Sequence, residues 1–202
     1  MTRRTGFLWR AAVVALALEF LAQRAEAHLV ETGLGPVYDG VAHLALSPEY
    51  YVPIFGAALL AGLRGRDHAR LAVLLLPLSW LVGGLLGGVP GAPAFVAPLW
   101  LPFLAVGVLV AADLQLPVGA TGAVIGILGF VLGYSNGLAM AEFGRGVRGV
   151  IGSTAGNFVL VTLVAALAAG TTIAWVRIAW RVLGSWIAAS GLLLLGWALR
   201  AS

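Results

Sequence analysis

The sequence predicts an all-α, polytopic membrane protein, a bundle of about six transmembrane helices behind a cleavable signal peptide. Three observations predict it. Of 202 residues, 61% are hydrophobic and only 10% are charged. A soluble domain carries about 25% charged residues, so this chain has too few to make an ordinary water-facing surface. Six apolar stretches follow one another, and none shows the strict alternation of a β-barrel strand. The 28 glycines suit helices that pack closely in lipid. Cysteine is absent, which excludes disulfides and thiolate metal sites. Every basic residue is arginine, and the net charge of +4 partly reflects the leader, so it gives no argument for nucleic acid.

Residues 1–27 read as a secretory signal. Arg3, Arg4 and Arg10 form its positive start, Ala11 to Leu18 its apolar run, and Ala25-Glu26-Ala27 its cleavage site. Cleavage leaves His28 as the new amino terminus. The alternative is an uncleaved anchor helix, against which Glu19 and Arg24 shorten the apolar stretch. Residues 28–48 form a polar, amphipathic segment that the reading places outside the membrane, and residues 49–202 form the six-helix domain.

The first apolar segment runs from Glu49 to Leu63, or begins nearer Gly40 with a break at Pro48. The others are Ala69–Val89, Ala94–Ala112, Val118–Met140, Val150–Gly170 and Trp175–Leu199. A helix needs about 20 residues to cross the hydrocarbon. Prolines 53, 77, 98 and 102 fall inside or near segment ends, where they kink helices and free carbonyls. Gly129, Gly133 and Gly137 repeat every fourth residue, as do Gly122 with Gly126 and Gly152 with Gly156. Such spacing lets backbones touch. With the mature amino terminus outside, Arg64, Arg66, Arg70, Arg177 and Arg181 fall inside and Arg145, Arg148 and Arg200 outside. That majority agrees with positive-inside orientation in a bacterial inner membrane. Six tryptophans, at 80, 100, 175, 180, 186 and 197, cluster toward segment ends, and most read as interfacial anchors.

The stretch HLVETGLGPVYDGVAHLALSPE, residues 28–49, holds two of the three histidines and three of the eight acids. Asp39 and His43 are four apart, on one face of a helix. Glu49 follows after Ser47-Pro48 has turned the chain. Imidazole with carboxylate suits divalent first-row metals, and ionisable groups in a membrane are costly to keep without a use. The competing reading is an external segment whose acids face water. His28, as a free amino terminus with its own imidazole, can hold a cupric ion, or is simply the residue after a cleavage site. Asp67 and His68, among Arg64, Arg66 and Arg70, read as a solvated turn, and Asp113 as a helix end. Tyr50, Ser135, Asn136, Met140 and Asn157 either line a pathway or join helices. No nucleotide loop, catalytic triad or zinc-protease motif is present, and nothing points to an enzyme.

HLVETGLGPVYDGVAHLALSPEYYVPIFGAALLAGLRG, followed by PLSWLVGGLLGG, resembles the HupE/UreJ family, and more specifically its divergent second branch. The resemblance spans most of the mature chain and is strongest over residues 28–65. It implies a six-helix inner-membrane protein of a family regarded as nickel or cobalt permeases. The family's motif is a His, five residues, then Asp-His. His43 takes the first position, Glu49 the Asp position and Tyr50 that of the second His. A later His- and Gly-rich stretch ending in Ala-Glu reads YSNGLAMAE here, without histidine. Two functions follow as expectations. One is a permease for a divalent ion (nickel, cobalt or copper), with Asp39, His43 and Glu49 at its outer mouth. The other is a non-transporting membrane subunit or assembly partner of a redox or metalloenzyme complex. The bilayer is the implied partner in both, with a homo-oligomer or a larger membrane complex beside it.

Overall fold

The computed structural model describes residues 31–95 and 97–201. The signal-peptide reading of residues 1–27 and the amino-terminal site at His28 lie outside the described residues. Those described are all-helical, with seven helices and no strand. They are α1 (Pro36–Leu46), α2 (Pro48–Leu63), α3 (Arg66–Gly87), α4 (Trp100–Ala111), α5 (Val118–Glu142), α6 (Gly146–Ala169) and α7 (Ala174–Ala201).

Local chemistry sets the boundaries. Pro36 and Pro48 each open a helix, where a missing N–H costs nothing and the fixed φ suits the first turn. Pro48 also ends α1, because the residue before a proline is pushed out of the helical region, and Ser47 is extended at φ −103° and ψ 94°. The chain therefore bends by 74° between α1 and α2. Gly65, at φ 109°, turns the chain between α2 and α3 in a conformation that a side chain would strain.

Four helices, α3, α5, α6 and α7, are each long and apolar enough to cross a membrane, and the bent α1–α2 pair meets the same measure when taken together. α4 is apolar but only 12 residues long.

Close approaches between helices fix their directions. Val37 of α1 meets Gly152 near the start of α6, and Gly62 of α2 meets Ala165 and Ala168 near its end. The bent pair thus runs the length of α6 in the same sense, as a broken span does and a re-entrant loop does not. α3 and α5 are also parallel to each other, from His68 beside Thr121 to Gly87 beside Tyr134. α4 and α7 are antiparallel, with Gly107 on Ala188 and Gly191 on Leu104. Taking α1–α2 as one, six helical segments among the described residues alternate in direction between an end marked by Asp39 and an end marked by Asp113.

The small-residue spacing is used as backbone contact. Gly129 packs on Ser79 and Leu76, Gly133 on Trp80 and Gly137 on Gly84. A Cβ at position 137 would strike the carbonyl oxygen of Gly84, which is backbone and cannot rotate away. Gly137→Ala is therefore expected to separate α3 from α5 and to cost about 1–3 kcal/mol. Unfolding by SDS titration checks it. Gly119→Ala, where a Cβ meets nothing within 4 Å, should be close to neutral in the same assay.

Candidate functional site

The site lies where α1 breaks into α2, walled by α3, α5 and α6. α1 leans its Asp39, Gly40, His43 and Leu44 face on α6, and Gly40 reaches the backbone of Gly149 and Ser153. Asp39 and His43 thus share one buried face, as their spacing predicts, at 2% and 8% exposure. Their partners differ.

Asp39 lies in the first turn of α1. Its Oδ1 accepts from the Thr32 backbone N–H at 2.8 Å and the Thr32 hydroxyl at 2.7 Å. Its Oδ2 is paired with Arg145, which sits just before α6 and also lies 3.5 Å from the exposed Glu31. Both carboxylate oxygens are engaged.

His43 lies one turn deeper. Ser47 Oγ is 3.4 Å from its Nδ1, while Nε2 is buried with no hydrogen-bond partner. The imidazole tilts against the Tyr50 ring at 5.5 Å between centroids, and Tyr50 meets the edge of Trp80 at 5.6 Å. Trp80 Nε1 donates to Ser153 Oγ at 3.2 Å, and Ser153 donates to Asn136 Oδ1 at 2.7 Å. An indole is only a donor and a hydroxyl has one proton. The proton of Ser153 therefore goes to Asn136 at 2.7 Å rather than to the Val150 carbonyl at 3.0 Å. A chain of neutral polar groups runs from α1 through α2, α3 and α6 to α5. It ends in orphans, since Asn136 Nδ2 has no partner. Neither does either amide atom of Asn157, one turn past Ser153 on α6 and at the level where Leu44 packs on Gly156.

Glu49 stands on the far side of the break, half-buried in the first turn of α2. It has no ion pair among the described residues. The amino end of α2 favours its charge, which explains how a carboxylate is kept there without a basic partner. Pro53 lacks the N–H that would bind the Glu49 carbonyl, so that oxygen also lacks its helical donor.

The remaining expected residues separate. Ser135 is half-buried and donates to the Val131 carbonyl of its own helix at 3.2 Å. Met140 is fully buried, under Gly149. No three His, Asp or Glu side chains gather into a metal-sized group among the described residues. Trp80 departs from the reading of most tryptophans as interfacial anchors, because it is fully buried. It stands at the middle of the apolar run Ala69–Val89, away from both ends where an anchor sits, and the α6 serine faces it.

At the opposite end, Arg64 is paired with Asp113, its side chain 2% exposed, and donates at 3.2 Å to the Asp113 carbonyl. Arg177 of α7 reaches the same carboxylate at 3.1 Å. Asp113 does follow a helix end, at φ +52°, and it also ties α2, α4 and α7 together. His68 is not simply solvated, since its Nδ1 lies 3.0 Å from Thr121 Oγ1.

The sequence model of one protein family, described as HupE / UreJ protein, matches residues 16–194. Nothing matches among curated proteins or among solved structures.

Proposed function

The chain belongs to the HupE/UreJ family, and from that premise we propose that it is an inner-membrane permease for a divalent transition-metal ion of the nickel or cobalt type. The single observation that carries the reading is His43 Nε2, a buried imidazole nitrogen with no partner at the break of a helix. Buried polar atoms are nearly always satisfied, and an orphan at membrane depth calls for a use. Broken helices also supply backbone carbonyls to a passing cation.

The donor set suits passage rather than storage. A cation at Nε2 requires the ring proton on Nδ1, where Ser47 Oγ can accept it. Glu49 supplies a carboxylate free of any ion pair among the described residues, and the amide of Asn157 is unspent. A conducted ion must be bound well enough to enter and weakly enough to leave, so an incomplete cage is appropriate. Asp39, with both oxygens engaged, holds the mouth together in this reading. Tyr50 and Asn136 form the neutral wall. The Asp113 end carries Arg64, Arg66, Arg70, Arg177 and Arg181, against three arginines at the Asp39 end, which favours a cytoplasmic Asp113 end.

The test is accumulation of nickel, cobalt and copper in cells expressing wild type or His43→Ala at matched membrane levels. Uptake of at least one ion should fall by about tenfold or more. Equal uptake of all three by both proteins removes the reading.

A further inference from the structure

A cleft of about 670 Å³ opens between α3 and α6 near the Asp113 end, away from His43. Its walls are apolar, with Val73 and Leu74 on one side and Ala166 and Thr162 on the other. The Thr162 hydroxyl is already committed to the Phe158 carbonyl at 2.7 Å, so it presents its methyl group's chemistry to the cleft. Arg66 and Arg70 stand at the rim, one helical turn apart and both exposed.

The charge at that rim is uncompensated. Arg70 has one acidic neighbour, Asp67, at 3.8 Å, and both side chains are about four-fifths exposed, so the pair is weak. Arg66 has no acidic partner among the described residues. The positive end of the α3 dipole lies here, while the carboxyl end of α6 opposes it, so the two arginines decide the sign. An apolar trough of this size, open to the bilayer and rimmed by two guanidinium groups, matches a molecule with a hydrocarbon tail and a phosphate-bearing anionic head.

We propose that this cleft is a selective site for an anionic phospholipid, with an acyl chain along Val73, Leu74 and Ala166 and the headgroup on Arg66 and Arg70. Each arginine near a membrane surface contributes attraction to anionic headgroups, and guanidinium pairs with phosphate in a bidentate manner. The site is independent of the permeation reading.

The experiment is native mass spectrometry of the delipidated full-length protein in detergent, with phosphatidylglycerol, phosphatidylcholine of the same chains, or inorganic phosphate added. Phosphatidylglycerol should be retained about tenfold better than phosphatidylcholine. Arg66→Gln with Arg70→Gln should bring the two lipids to parity, whereas Arg148→Gln, at the other end, should keep the preference. Leu74→Trp, which fills the trough and leaves the arginines, should lower retention of phosphatidylglycerol. Parity of the two lipids on wild type overturns the proposal, as does displacement of the lipid by millimolar phosphate. Conversion of a dimer to a monomer by the arginine variants, with lipid retention unchanged, assigns the cleft to a second copy and overturns it too.

Discussion

Asp113→Asn is expected to destabilise the folded protein by about 3 kcal/mol, the lower part of the range for breaking a buried ion pair. The carboxylate neutralises Arg64, whose side chain is 2% exposed, and shares its charge with Arg177. Its removal leaves a buried guanidinium with only the Asp113 carbonyl, which accepts at 3.2 Å, while Arg64 Nε is already without a partner. Asparagine is the informative replacement because it tolerates the left-handed backbone, φ +52°, that alanine would strain. Reversible unfolding in mixed micelles checks it. The α4–α7 pair should loosen first, because Asp113 joins it to the end of α2. An unchanged midpoint would show that solvent screens the cluster.

The second large effect is expected at the Arg145–Asp39 pair. Arg145→Ala should sharply reduce folded, detergent-stable protein, because it strands a carboxylate that is 3% exposed. Adding Asp39→Asn should restore much of the yield. Asparagine carries no charge, and its oxygen still accepts from Thr32. Size-exclusion profiles of the two single variants and the double variant form a cycle that isolates the pair. A double variant no better than Arg145→Ala would mean that the arginine acts through Glu31 or the α6 turn instead. Metal uptake by the restored double variant then asks a separate question. Uptake near wild type assigns Asp39 to architecture, and lost uptake assigns it to the ion.

Much of the fold was legible because the signals are local. The ends of α3, α5, α6 and α7 follow apolar runs closed by arginine, glycine or proline. Ser47-Pro48 marked the break at which the first span bends, and four-residue glycine spacing marked the α3–α5 contact. The site was legible only in part. His43, Glu49 and Tyr50 stand within eight residues of one another, so the sequence could group them. Arg145 reads from sequence only as one of three external arginines, because its partner Asp39 lies 106 positions earlier. Trp80 and Ser153 are 73 apart, and nothing near either signals the other. Long-range pairings of this kind have no period to detect. They are settled by which helices pack, and in this chain glycine contacts settle that.

The shortest helix has a consequence for the surrounding medium. α4, 12 residues long, rises about 18 Å, whereas the hydrocarbon is about 30 Å thick. Before α4, the Pro93 carbonyl accepts from the Tyr134 hydroxyl at 2.7 Å. A bilayer crossed by α4 would be drawn thinner beside this flank by hydrophobic mismatch, and held thicker beside the long helices α5 and α6. In such a wedge-shaped annulus, acyl-chain length would be a mechanical input that bears on α4 and its partner α7 before any other part of the bundle.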